Sequence, residues 1–486
     1  MYTKIIAYLL SRLSLGLGAV LSFPFTYAVL NNEPCFIDFL YAIMFAGALY
    51  LALGFYGKDA NRKDISVREG IGTVFFAWLL AALIAALPFM FSGILDPISA
   101  FFESMSGLTT TGSTVINNLE VVPSSILLWR SLTHWIGGIG IIVLFVALLP
   151  QIAGSAVYLF NAEVSGFSSN RILPRIHTTA MALFGIYTLM TVVLIIALMC
   201  LGMNSFDAVN HACSAIATGG FSTYNDSVAH FDSAAIEFVL GFAMIMAGGN
   251  FALYYYMVQS GVKSLINDIE FKAYLGLLIC VTGMITWNIV HVNGYYGLFE
   301  GFRYAFFQVA SFGSTTGFVS YNYDEWPAFS KLLLALMYFT GACAGSTAGG
   351  IKICRFVVLV KTVFAELRRA MHPQMLLTVY YNNRILPVST IINIGRFFFM
   401  YVLVIVVLSF ALSFTGLSVE DSLFGVASCI SSVGPAFGTL GAISNYAEVT
   451  PMGKIVLSVA MLLGRLELFT VLALLRSEYW SKSKRW

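Results

Sequence analysis

Four short elements, each a hydroxyl-bearing residue followed closely by glycine, recur along this chain, and each lies between two strongly apolar stretches. They are Thr110-Thr111-Gly112, Thr218-Gly219-Gly220, Thr315-Thr316-Gly317 and Ser432-Val433-Gly434. Their last glycines fall at similar intervals, so one unit has been used four times. Each copy places a flexible, carbonyl-rich turn between membrane-length segments. In hydrocarbon such backbone survives only where it is buried in protein or lines a water-filled path, since its N–H and C=O groups otherwise lack partners. Four such turns around one axis make a cation filter, in which carbonyls replace the water around a bare ion.

The membrane setting follows from charge density. Only 10% of the 486 residues are charged and 59% are hydrophobic, whereas a soluble domain carries about 25% charged residues. Apolar runs near 5–30, 36–56, 70–92, 131–150, 178–202, 234–259, 272–292, 329–350, 391–415 and 452–475 approach or exceed the ~20 residues needed to span. The expected fold is an all-α integral membrane protein of about ten spanning helices. It comprises four pseudo-symmetric helix–pore loop–helix repeats around one pore and an extra N-terminal helix pair. The segments run 1–57 for the pair, 58–170 and 171–262 for repeats one and two, 263–380 for repeat three, and 381–486 for repeat four with the tail. No cleavable signal peptide is expected, because the first apolar run is long, carries Arg12 and lacks a small-residue cleavage site.

Basic residues crowd into alternate loops: Lys58, Arg62, Lys63 and Arg68; Arg171 and Arg175; Lys263 and Lys272; Lys361, Arg368, Arg369 and Arg384; and Arg476, Lys482, Lys484 and Arg485 in the tail. The opposite loops carry Glu33, Glu120, Asp226, Asp232, Asp324, Glu325 and Glu448. The positive-inside rule makes the basic loops and both termini cytoplasmic. The net charge of +2 does not point to nucleic acid. The seven cysteines form no CxxC pair and the six histidines show no metal-ligand spacing, so neither a disulfide framework nor a metal cage is expected.

Within each repeat a short segment leads into the glycine element and is too short to cross, so it re-enters from the outer side. Asp96, Asp207, Glu300 and Glu420 lie at or near its start, where a carboxylate caps free amides and complements the positive end of the helix dipole. The opposite, partly negative ends then point at the glycine elements and favour a cation. Glu103, inside the first short helix, faces protein or the outer vestibule. The elements contain no acidic side chain, which favours a monovalent ion held by carbonyls over a divalent one held by carboxylates.

Repeat three departs from the others. Its second apolar segment runs from about Phe329 to Leu367, too long for one span. Its middle, Thr340-Gly341-Ala342-Cys343-Ala344-Gly345-Ser346-Thr347-Ala348-Gly349-Gly350, has low helix propensity and breaks the helix. Lying on the cytoplasmic side of the filter, this stretch is either a gate across the inner pore or a close-packing seam. Its glycines Gly341, Gly345, Gly349 and Gly350 are the gate candidates. Lys352 either contacts the pore or, with Arg355, snorkels to the inner surface. Arg465, well inside the last span, must face protein or water. It either holds the loop through carbonyl hydrogen bonds, sets an electrostatic barrier to cations, or joins a structural ion pair elsewhere. The stretch from His134 to Gly140 reads as close helix packing.

With these residues in place, the chain resembles the membrane subunit of bacterial Trk-type potassium uptake systems, within the Trk/Ktr/HKT superfamily. The resemblance rests on Leu108-Thr-Thr-Thr-Gly112, Gly219-Gly-Phe-Ser-Thr223, Gly345-Ser-Thr-Ala-Gly-Gly-Ile-Lys352 and Gly464-Arg-Leu-Glu-Leu-Phe469, and it covers almost the whole chain. The pair before residue 57 resembles the Trk branch. The resemblance implies a single potassium filter at Gly112, Gly220, Gly317 and Gly434, a gate loop at 340–350 and a pore arginine at Arg465. It also implies a homodimer in the bacterial inner membrane, docked on a cytosolic TrkA-like regulatory subunit that binds nucleotide. This chain has no strand-GxGxxG-helix unit, so nucleotide binds only through that partner. Thr340 stands where the family usually has glycine and Ala348 interrupts a glycine triplet, and both stiffen the loop. The expected function is channel-like potassium uptake, with potassium as the transported ion and no bound cofactor. The alternative is a coupled symporter driven by sodium or protons, for which Glu467 is the attractive coupling carboxylate. A membrane enzyme is disfavoured, since no nucleophile–base or metal-ligand motif occurs.

Overall fold

The structure, a computed structural model, describes residues 3–58, 60, 67–140, 176–293, 297–372, 374, 378–382, 384–466, 468–474 and 476–480. Glu467, Arg171, Arg175 and the end of the 131–150 run lie outside the described residues. Helices α1 (Thr3–Leu30) and α2 (Phe36–Tyr56) form an N-terminal hairpin. Four units follow, each a long helix, a short helix, an irregular turn and a second apolar segment. The first comprises α3 (Val67–Phe91), α4 (Pro97–Leu108) and α5 (Ser124–Gly138). The second comprises α6 (Ile176–Cys200), α7 (Ser205–Ile216), α8 (Ala234–Ala247) and α9 (Phe251–Ser260). After a single turn, α10 (Lys263–Ile266), the third comprises α11 (Ile269–Asn293), α12 (Leu298–Gly313), α13 (Ala328–Met337) and α14 (Ile353–Met371). A hairpin of β1 (Tyr380–Tyr381) and β2 (Arg384–Ile385) precedes the fourth. That unit comprises α15 (Val388–Ser413), α16 (Val419–Ser431), α17 (Pro451–Arg465) and α18 (Leu468–Leu474), and α19 (Ser477–Trp480) follows.

Six of the expected apolar runs form single helices long enough to cross a membrane: α1, α2, α3, α6, α11 and α15. Three others, 234–259, 329–350 and 452–475, are broken. Helices α8 and α9 meet at a 90° bend, at Gly248-Gly249-Asn250, where Asn250 caps α9 by accepting from the amide of Ala252 at 2.9 Å. Residues 340–352 between α13 and α14 are not helical, and α17 ends at Arg465. The first, continuous helix of each unit is thus a strut, while the second, described in part for the first unit, carries small residues that let other backbone come close.

The acidic starts of the short helices do different jobs. Asp96 caps α4, accepting from the amides of Ile98 at 3.1 Å and Ser99 at 3.2 Å. Hydrogen bonding from Ser99, ahead of an opposing contribution from burial, holds its carboxyl below the usual carboxylate range. In α7 the cap is Asn204, while Asp207 is buried and accepts from Thr223 Oγ1 at 2.6 Å and the Tyr224 hydroxyl at 2.9 Å. In α16 the cap is Ser418, bonded to the amide of Asp421, and α12 starts at Gly297 without a side-chain cap. Glu300 and Glu420 contribute charge in the first turn but no cap.

Two buried apolar clusters hold the units together. One joins the N-terminal hairpin to the first and fourth units. The other joins the second and third, with Ala427, Val433 and Phe437 reaching in from the fourth. Large apolar side chains such as Phe55, Leu189, Ile279 and Phe410 are exposed on the outside, as a lipid-facing surface requires.

Candidate functional site

The four short helices end in the same way. Thr110, Thr218, Thr315 and Ser432 adopt the left-handed conformation, with φ of 56°, 54°, 57° and 56°. Two residues on, Gly112, Gly220, Gly317 and Gly434 also have positive φ, at 85°, 80°, 83° and 100°. The residue between them donates its amide to the carbonyl five positions back: Thr111 to Ser106 at 2.9 Å, Gly219 to Ser214 at 2.8 Å, Thr316 to Ser311 at 2.8 Å and Val433 to Ser428 at 3.0 Å. This closure satisfies the helix end. A left-handed conformation at threonine or serine is costly, about 1–3 kcal/mol, so its fourfold occurrence marks a shape the surroundings enforce.

The turns meet in a closed ring. A Cβ at Gly112 would strike the carbonyl of Gly219, one at Gly220 that of Thr316, one at Gly317 that of Val433, and one at Gly434 that of Thr111. Each glycine therefore abuts the carbonyl preceding the next unit's glycine, in the order one, two, three, four and back to one. Among the described residues these four carbonyls accept no hydrogen bond from the protein. Buried carbonyls without protein donors are suited to a cation or water. The ring brings together all twelve of the filter residues anticipated from sequence.

Behind the ring the support differs by unit. Glu103 on α4, fully buried, accepts from the Val115 amide at 2.9 Å and from Thr114 Oγ1 at 3.0 and 3.1 Å. It faces protein, paired with the equally buried Arg130 of α5 (Nε to Oε1, 2.8 Å). Arg130 also donates to the Ser222 carbonyl at 3.0 Å, tying the first unit to the second. At the matching places on the other short helices stand His211, Gln308 and Gly425. His211 Nε2 bonds Ser222 Oγ at 3.0 Å, and Gln308 donates to the Tyr321 carbonyl at 3.4 Å. Gly425 offers no side chain, and three tyrosines serve instead. Tyr446, Tyr338 and Tyr323 donate to the carbonyls of Gly434, Pro435 and Ala436 at 2.8, 2.9 and 2.8 Å.

Residues 340–352 lie against the other side of the ring. Gly349 N–H donates to Thr315 Oγ1 at 2.8 Å, and a Cβ there would strike the Ser431 carbonyl and the Ser432 side chain. Thr347 Oγ1 receives the Thr218 hydroxyl at 3.2 Å and donates to the carbonyls of Ile216 at 3.1 Å and Ala247 at 3.3 Å. The loop thus engages two of the four ring hydroxyls, while Thr110 Oγ1 and Ser432 Oγ have no hydrogen-bond partner among the described residues.

The Arg465 guanidinium donates to backbone carbonyls, to Thr347 O of the loop at 3.0 Å and to Gly138 O at 3.1 Å and Gly137 O at the end of α5. Lys352 is buried and donates to the Ala348 carbonyl within its own loop. Gly345 and Gly350 have φ of 72° and 69°. Gly341 sits where a Cβ would strike the Gly349 carbonyl, so the loop's two arms touch. Arg355 lies 3.9 Å from the centre of the Phe397 ring. Beneath the loop an open pocket is lined by Tyr187, Thr347, Lys352, Tyr401 and Arg465, among others.

Four contributing residues escaped the reading of the sequence. Gly137 and Gly138, read as packing, do pack, against Leu108 and Ala217, but they also supply carbonyls to Arg465. Arg130 lies in the apolar run Ile126-Leu127-Leu128-Trp129-Arg130, and the cost argument that singled out Arg465 applies equally there. Glu270, at the base of the loop, gives no local signal.

These features define an all-α membrane protein in which four re-entrant turns ring one axis. The chain belongs to the TrkH family, described as cation transport proteins, whose profile matches residues 33–483. The Trk system potassium uptake protein TrkH of Salmonella typhimurium (strain LT2) is 37% identical over 437 residues, covering 88% of this chain and 90% of the relative. The Trk system potassium uptake protein TrkG of Escherichia coli K12 is 32% identical, covering 91% and 92%. The crystal structure of the potassium transporter TrkH from Vibrio parahaemolyticus superposes with a TM-score of 0.89 at 32% identity, covering 99% of this chain and all of that one.

Proposed function

We propose that this chain is the membrane subunit of a bacterial potassium uptake system, and that it works as a gated, channel-like pore. The closed ring of four glycine turns carries the reading. Carbonyls on four sides suit a monovalent cation stripped of water, and the relatives' names supply potassium as substrate. Entry is driven by the membrane potential, worth about 2.3 kcal/mol per charge per 100 mV. The loop at 340–352, pressed on the ring through Thr347 and Gly349, is the gate, and Arg465 holds it. On this reading both termini lie in the cytoplasm with the basic loops, as the positive-inside rule favours, in a cell whose inner membrane holds the protein. A homodimer and a nucleotide-binding TrkA-like partner complete the system.

The test is rubidium uptake into proteoliposomes holding the purified chain, competed with potassium or sodium, with and without a TrkA-like subunit and nucleotide. Uptake suppressed by potassium and little by sodium is the expected result. Absence of uptake under both conditions, in folded protein, overturns the channel reading.

A further inference from the structure

Glu270 is a carboxylate that the ion pathway does not touch. It opens α11 and is 4% exposed, so its charge persists only with strong partners. Oε1 accepts from the amide of Ala344 at 2.6 Å and from that of Cys354 at 3.1 Å. The first amide lies on the entering arm of the loop, and the second lies just past its exit. The arms also bond to each other, Gly341 N–H to the Ile351 carbonyl at 2.7 Å and Ile353 N–H to the Ala342 carbonyl at 3.1 Å. One oxygen gathers amides from both arms at once, so Glu270 is a side-chain clasp on this neck.

The other oxygen of Glu270 receives the Tyr381 hydroxyl at 3.4 Å, and Tyr381 belongs to the β1–β2 hairpin. That hairpin is tied to the same corner at two further points. Asn382 donates to Asp268 Oδ2 at 2.7 Å and accepts from the Ile269 amide at 3.0 Å. Lys361 of α14 donates to the Tyr380 carbonyl at 2.7 Å. An open polar cleft, lined by Asp268, Lys272, Lys361, Tyr380 and Asn382, runs alongside and leaves the Asn382–Asp268 bond reachable from outside. Hairpin, carboxylate and loop therefore form one continuous chain of hydrogen bonds, from the face with the basic loops to the underside of the ring.

We propose that Glu270 is a positioning residue that latches the loop against the ring, and that the hairpin is the handle by which it is released. This rests on the reading of the loop as a gate. Pulling Asn382 from Asp268 draws Tyr381 and the start of α11 with it, and the Ala344 and Cys354 amides lose their shared acceptor.

The experiment compares full-length variants in proteoliposomes without any partner, by rubidium uptake competed with potassium or sodium. Glu270→Ala should raise uptake about tenfold, the shift expected when a two-state loop loses a side-chain clasp. Asn382→Ala should raise it less. The double variant should match Glu270→Ala alone, because residues acting in series are not additive. Preference for potassium should be unchanged. A loop deletion of residues 343–349 separates the two readings. If the deletion raises uptake while both point variants stay at the wild-type level, the latch is overturned and the gate stands. If the deletion leaves uptake unchanged, the gate falls and takes the latch with it. Additive effects, or raised uptake with lost potassium preference, also overturn the latch. Should Glu270→Ala fail to fold, Asn382→Ala and Tyr381→Phe decide, and wild-type uptake in both overturns the proposal.

Discussion

The ring of glycine turns and the layer directly beneath it follow opposite rules. In the ring, Thr110, Thr218, Thr315 and Ser432 share one backbone conformation, and each glycine abuts its neighbour's carbonyl in an unbroken cycle. Beneath it, a single loop from the third unit bonds the hydroxyls of Thr218 in the second unit and Thr315 in its own, two of the four, and is held by one arginine from the last unit. On the proposed function, a spherical ion is satisfied by equivalent ligands on every side, so the ring repeats. A gate needs one part to move while the rest stays, and among the described residues the long break lies in the third unit. On that reading, repetition of one unit supplies the cage and divergence of one copy supplies the gate.

The largest test of this contrast strikes the support of the ring. Glu103→Ala strands the buried Arg130 guanidinium, and breaking such a pair costs about 3–5 kcal/mol. Thermal unfolding of the purified protein should show the loss, and wild-type stability would mean the brace is dispensable. Gly317→Ser attacks the cage itself, with positive φ and a Cβ against the Val433 carbonyl. Potassium-over-sodium preference should fall about tenfold, a cost of ~1.4 kcal/mol that lies within the strain of such a position. Unchanged relative uptake would remove this glycine from the cage. Arg465→Ala should do the reverse, raising partner-free uptake about fivefold by freeing the loop while leaving selectivity intact. A silent variant would reduce Arg465 to a structural role. The smallest effect belongs to Asp96→Ala, which removes a helix cap worth about 1 kcal/mol. Its melting temperature should drop slightly with no change in ion preference.

What the sequence disclosed and what it withheld follow from range. The glycine elements were legible because positive φ and close backbone approach restrict the residue at a single position. The break in the third unit was legible because a glycine- and small-residue run lowers helix propensity locally. Helix starts were half legible. Asp96 is the cap that the local rule expects, but Asp207 turns inward to Thr223 and Tyr224, and Asn204 caps in its place. Partners far apart in sequence left no such mark. Glu103 with Arg130, Glu270 with the loop neck, and Gly137 with Arg465 each depend on folding to bring them together. Arg465 itself was noticed because charge in an apolar run is conspicuous, yet its acceptors are backbone carbonyls, which every residue carries and no sequence flags.

The cycle of contacts has a seam. Three of its four joints link units that are neighbours along the polypeptide, but the last joins Gly434 to Thr111, with Ser113 Oγ donating to the Gly434 carbonyl at 3.1 Å across 321 positions. A ribosome delivers the first three walls long before the fourth. Until the final unit inserts and docks against the first, the nascent protein has an open-sided trough in place of a cage, without the ligands to strip an ion of its water. If the ring is the proposed filter, selectivity is acquired in one step at the end of synthesis, and a chain cut short before Gly434 cannot form a discriminating passage.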